Sequence, residues 1–229
     1  IGARESMSDT PRDYKTASLI HERNYYNAGC HVIFGIDEAG RGPWAGPVSA
    51  GAVTLPLDRK DLSRALAGVR DSKEMTANQR EALVDTIKEV AVAWGVGHTS
   101  AREIDNMGII QATKTAMQRA LTNALDGKDL EPDCLFLDYM LWPERRDIPQ
   151  VSIVHGDKQS LSIACASILA KVWRDNFMLE LDAEFPNYGF ASHKGYGTKA
   201  HREALEQYGA TDFHRKYYKP IQDILNQDE

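Results

Sequence analysis

The fold class this sequence predicts is α/β: a mixed five-stranded sheet flanked by helices, with a helical carboxy-terminal segment. Three observations carry that expectation: five short apolar runs rich in β-branched residues, longer stretches of helical periodicity, and an order in which strands come first and then alternate with helices. With 229 residues the chain is long enough to bury one substantial core. Short linkers and the absence of repeats suggest a principal domain over 7–185 and a helical, basic segment over 186–229 that packs on it. Residues 1–6 precede Met7, fit no structural pattern, and are read as left over from expression.

The first strand is expected from His31 to Asp37, where the run Val-Ile-Phe-Gly-Ile stops at a glycine-rich turn. Val48 to Leu55 follows closely enough to be its antiparallel neighbour, and Val90 to Gly97 supplies a third strand. Between them Thr76 can cap a helix whose apolar face is Leu83, Val84, Ile87 and Val90. Ile109 to Leu125 has helical spacing and ends at Asp126-Gly127. Cys134 to Leu137 and Val151 to Val154 are the remaining strands, each stopping beside a carboxylate. Ser160 to Phe185 reads as one long helix broken by Pro186, and Lys199 to Tyr208 as a shorter one.

Composition excludes several classes. Hydrophobic residues at 42% are too many for a disordered chain. No apolar run approaches the roughly 20 residues that span a bilayer, and no signal peptide is visible, so membrane and export readings are set aside and a cytoplasmic protein without a membrane partner is expected. Cys30, Cys134 and Cys165 are too scattered for a zinc site and read as reduced, mostly buried thiols. The net charge of −6 opposes nucleic-acid binding in bulk, but the stretch from Ala191 to Lys219 is locally basic. Lys194, Lys199, Arg202, Arg215, Lys216 and Lys219 lie there with His193, His201 and His214 interleaved, making it the candidate phosphate-facing patch. Nothing indicates an obligate oligomer, so a monomer is expected.

The chemistry is expected where strands end. Asp37 and Glu38 sit at the first strand end, while Asp138 and Asp157 sit at or just beyond two others, so four carboxylates could converge. Asp133 competes with Asp138, whose place at the strand end decides between them. Clustered carboxylates repel one another unless cations neutralise them, and hard oxygen donors favour Mg2+ or Mn2+. Two such ions could activate water and stabilise a departing oxygen. The turn Gly40-Arg41-Gly42 lets backbone approach a ligand closely while placing a cation beside it.

These residues resemble a family. The run Gly35-Ile36-Asp37-Glu38-Ala39-Gly40-Arg41-Gly42-Pro43-Trp44-Ala45-Gly46-Pro47-Val48 is similar to the opening signature of the type 2 ribonuclease H enzymes. The likeness continues through Asp71-Ser72-Lys73, Gly156-Asp157, Ser162 to Val172, Arg174-Asp175, His193 to Thr198, His201 and His214-Arg215. It implies a ribonuclease H-like sheet on which Asp37, Glu38, Asp138 and Asp157 bind metal and catalyse. It further implies that Gly40, Arg41 and Gly42 sense a ribose 2′-hydroxyl, that Ser72 and Lys73 contact phosphate, and that Tyr196 stacks on the following deoxyribose. The expected substrates are RNA/DNA hybrids and single ribonucleotides embedded in duplex DNA, cut on the 5′ side, so that ribonucleotides can be removed from DNA.

Glu74 stands where another basic residue is common in that family, Trp44 where an aliphatic one is, and Cys165 where alanine is. Lys171 could face the site or extend to solvent and is left outside the catalytic set. Two rival readings are a hybrid-binding module without turnover, against which all four carboxylates argue, and a glycoside hydrolase, which would need an aromatic sugar cleft and no metal.

Overall fold

The computed structural model describes residues 15–226. The reading of Ile1 to Ser6 lies outside the described residues. The strands are β1 (Ile33–Ala39), β2 (Val48–Thr54), β3 (Ala93–Thr99), β4 (Cys134–Asp138) and β5 (Gln150–Ile153). The helices are α1 (Ile20–Asn27), α2 (Leu62–Ala65), α3 (Ala77–Val90), α4 (Ala101–Leu125), α5 (Gly156–Gln159), α6 (Leu161–Glu184), α7 (Phe190–His193), α8 (Lys199–Tyr208) and α9 (Lys219–Leu225).

The strands form one five-stranded sheet in the order β3-β2-β1-β4-β5. β1 and β3 run antiparallel to β2, whereas β4 is parallel to both β1 and β5. Alternation along β1 sends Phe34 and Ile36 into the core under α4, and Ile33 into the core under α6. Small residues let both helices lie close. A Cβ on Gly35 would come within 2.3 Å of the Ser162 backbone in α6, and one on Gly97 within 2.3 Å of Ala120 in α4. A third core joins Met178 and Leu181 of α6 to Phe190, Leu205, Ile221 and Ile224, which seats the carboxy-terminal helices on the end of α6.

Local signals set the helix ends. Thr76 closes a capping box with Gln79 at the start of α3, Ser160 caps α6, and α6 stops before Pro186. α4 contains a break at Gly108, whose φ of 77° separates its first turns from the amphipathic stretch that the sequence places from Ile109.

Two strands differ most from expectation: β3 begins at Ala93, not Val90, because Val90 is the last residue of α3, and β1 runs on. β1 does not stop at Asp37 but continues through Glu38 to Ala39, because β2 still pairs with it there, Asp37 opposite Gly51 and Glu38 opposite Ala50. Cys134 and Cys165 are buried and Cys30 half-buried, all as free thiols. No helix among the described residues is long and apolar enough to cross a membrane.

Candidate active site and metal centre

The central parallel pair of strands builds the site. β1 and β4 are in register up to Ile36 opposite Leu137, so the next residues, Asp37 and Asp138, emerge side by side at the same sheet end. β5 ends at Ile153, the chain turns through a left-handed His155 (φ 54°), and Asp157 arrives on the single turn of α5. That turn is tied to the sheet because Asp138 Oδ1 accepts a hydrogen bond from the Gly156 N–H at 2.8 Å. Asp37, Asp138 and Asp157 thereby present carboxylate oxygens that all lie within 4.8 Å of one another.

Of the four expected carboxylates, three meet in that group. Glu38 lines the same cleft but is turned to Arg41, whose Nη1 donates to its Oε1 at 3.2 Å. Glu38 stays outside the three-aspartate group, paired with the Arg41 guanidinium three residues on. Its other oxygen, Oε2, is buried with no protein partner. Asp133, the competitor of Asp138, sits at the far end of β4 and accepts the His31 and Val32 N–H groups at 2.7 and 2.9 Å.

The electrostatics are those of an anionic pocket wanting a cation. Burial, then the neighbouring Glu38 carboxylate, pushes Asp37 well above the ordinary carboxylate range. Burial also raises Glu38 against the pull of Arg41, and raises Asp157 against the pull of Lys73. Lys73 Nζ is 3.3 Å from Asp157 Oδ2 on a largely exposed side chain, free to be redirected. Three crowded carboxylates and an orphaned buried oxygen are a donor set that suits hard divalent ions.

The other expected site residues surround this group. Gly40, Arg41, Gly42, Ser72, Lys73 and Tyr196 all line a cleft of about 230 Å³ together with Asp37, Glu38 and Asp138. Gly40 has φ +93°, and a Cβ there would come within 2.1 Å of Arg174 Nε, so the turn needs glycine on both counts. Tyr196 is 47% exposed above the turn, and a Cβ on Gly42 would sit 3.7 Å from its ring. Ser72 is buried, its hydroxyl 2.9 Å from Ser167 Oγ.

The basic stretch needs correction. Arg215, expected to face phosphate, is fully buried, as are His201 and His214. Arg215 instead donates to the carbonyls of Gly40, Arg41, Gly46 and Pro47, and Arg174 to those of Ala45, Pro47 and Lys194. A loop with many inward-facing carbonyls takes guanidinium donors in place of a helix or strand partner. Lys199, Arg202, Lys216 and Lys219 remain exposed.

Sequence reasoning gave no role to Ser167 or Arg174, and weighed Lys171 but left it outside the catalytic set. Ser167 hydrogen-bonds Asp37 and Ser72, Arg174 braces the glycine-rich turn, and Lys171 lines the cleft while pairing with Asp175 at 2.6 Å. Their signal was faint: Ser167 and Lys171 are one helical turn apart on α6, a polar stripe on an otherwise apolar helix.

A sheet whose central parallel strands deliver aspartates to a metal-suited cluster, beside a glycine-rich turn, defines the class: a carboxylate-dependent nuclease with a ribonuclease H-like fold. The Ribonuclease HII family model matches residues 34–221. The chain is 48% identical over 211 residues to "Ribonuclease HII" of Geobacillus kaustophilus, covering 92% of this chain and 77% of that one. It is 50% identical over 207 residues to the protein of the same name from Geobacillus thermodenitrificans, covering 90% and 76%. The crystal structure of the ribonuclease H2 from Pyrococcus horikoshii superposes with a TM-score of 0.69 at 24% identity, over 86% of this chain and 98% of that one. The chain belongs to the ribonuclease HII family.

Proposed function

We propose that this protein hydrolyses the RNA strand of RNA/DNA hybrids and cuts on the 5′ side of single ribonucleotides embedded in duplex DNA. In-line attack of water on the phosphodiester leaves a 3′-hydroxyl and a 5′-phosphate, which initiates removal of the ribonucleotide. The observation that carries the reading is the meeting of Asp37, Asp138 and Asp157 within 4.8 Å of one another, on a chain of the ribonuclease HII family.

Asp37, Glu38, Asp138 and Asp157 are the residues assigned to hold two divalent ions, Mg2+ or Mn2+. Such ions, when bound, supply activation of the water and charge neutralisation at the departing oxygen. The protein's own groups do the rest. Lys73 and Ser72 stand where a phosphate would reach the cluster, and Lys73 can exchange Asp157 for that phosphate once cations neutralise the carboxylates. The backbone of Gly40, Arg41 and Gly42 comes close to a 2′-hydroxyl because Gly42 leaves the approach open, while Gly40 lets the turn close onto Arg174. Tyr196 offers its exposed ring to the next deoxyribose. The enzyme is proposed to act as a monomer.

The test is a duplex containing one ribonucleotide, incubated with Mg2+, with Mn2+, and with a chelator. Cutting at the 5′ side of the ribonucleotide in the metal lanes alone is expected. Intact substrate throughout overturns the enzyme reading, and cleavage that survives the chelator overturns the metal assignment.

A further inference from the structure

Apart from the carboxylate cluster, the described residues bury a second polar group among aromatic side chains. His201 and His214 are fully buried, with their Nε2 atoms 3.1 Å apart. Each outer nitrogen faces a backbone group with one possible role; His214 Nδ1 also lies 2.9 Å from the Thr211 hydroxyl, which can take either role and so does not set the direction. His201 Nδ1 is 2.9 Å from the Tyr196 carbonyl oxygen, which can only accept. His214 Nδ1 is 2.9 Å from the Thr211 backbone N–H, which can only donate. His201 therefore carries its proton on Nδ1 and His214 on Nε2. The bonds then run one way: Thr211 N–H to His214, His214 Nε2–H to His201, and His201 Nδ1–H to the Tyr196 carbonyl.

We propose that His201 and His214 are positioning residues for cleavage, holding the Tyr196 turn at a fixed height over Gly42 through this directed chain of hydrogen bonds. The proposal rests on the assignment of Tyr196 to the sugar beside the cut. The turn needs an external hold, because Lys194 (φ 51°) and Gly195 (φ 82°) are both left-handed. The same segment also grips the glycine-rich turn. His214 bridges to Ala45, the Arg215 N–H donates to the Trp44 carbonyl, and the Trp44 N–H donates to the Gly195 carbonyl. The spacing between Gly42 and Tyr196 is thus set by one scaffold. Burial holds His201 down to about 4 and His214 to about 3, so the neutral forms that the chain requires persist at neutral pH.

The experiment has two arms on the full chain. Nitrogen-15 imidazole spectra should show His201 protonated at Nδ1 and His214 at Nε2; the opposite assignment at either ring overturns the chain. In the second arm, cleavage of a duplex with one ribonucleotide is compared in His201→Ala and His201→Asn, whose amide N–H takes the place of Nδ1–H. Loss of one such bond predicts roughly tenfold lower kcat/KM for His201→Ala, with most of it regained in His201→Asn. In a Tyr196→Ala background the same change should have no added effect. Should His201→Ala fail to fold, His201→Gln, which keeps bulk but sets its amide at the Nε2 position, replaces it. Parental kcat/KM, or losses that add to those of Tyr196→Ala, overturn the positioning role. Parental cutting by Tyr196→Ala itself overturns the sugar assignment and the positioning role with it, even where the spectra bear out the bond direction.

Discussion

Asp37 is buried beside other acids, and that burial opposes its charge. Because its folded pKa is raised, the folded chain keeps the proton to higher pH than the unfolded chain does. Stability is therefore lost as pH rises from the ordinary carboxylate range through the raised value, and the loss is complete above it. Asp37→Asn removes that loss, so the metal-free variant should melt roughly 2–4 °C higher than the parent at pH 7. The gain should vanish only well below the ordinary Asp value of about 3.9, where the acid is protonated in both states. The same variant should not cut. A melting curve unchanged at pH 7 would show that the pocket does not strain the empty site. Arg215 carries the opposite lesson at this scale. Its neighbours in sequence are basic and polar, and nothing in them reveals that four loop carbonyls from residues 40 to 47 wait for its guanidinium.

At the scale of elements, what could be read was what local physics decides. The Thr76 cap, the long helix beginning at Ser160, the stop before Pro186 and the span of α8 follow from capping, periodicity and proline chemistry. What could not be read depends on partners far along the chain. β1 outruns its expected end because β2 pairs with it, and Glu38 is paired with Arg41 outside the three-aspartate group. α1 has no apolar helical face to read, and the residue it buries is the charged Glu22, whose Oε1 accepts from Ser160 and Ser162 at the start of α6. The close seat of α6 on the sheet is equally tertiary. Gly35→Ala should force Ser162 outward and destabilise the fold by about 1–3 kcal/mol, read as a lower urea midpoint. It should also weaken metal binding, because α5, which carries Asp157, joins α6 through Ser160 alone. An unshifted midpoint would mean that the helix yields freely.

For the whole molecule, a net charge of −6 must coexist with binding to a polyanion. The exposed Lys199, Arg202, Lys216 and Lys219 offer a local grip, although Lys199 and Lys216 each have an acidic neighbour on the same chain segment. If they hold the duplex backbone, replacing Lys199 and Lys216 by Gln should reduce the slope of log affinity against log salt by about one for each phosphate no longer neutralised. An unchanged slope would place the grip elsewhere. The central claim remains that the acids of β1, β4 and α5 act as one ligand set. Manganese titrated into the metal-free protein, followed by loss of the free-ion paramagnetic resonance signal, tests it most directly. Saturable binding is predicted for the parent and for Asp133→Asn, with strong weakening in Asp138→Asn and Asp157→Asn. Binding in those two variants at the parental level would contradict it.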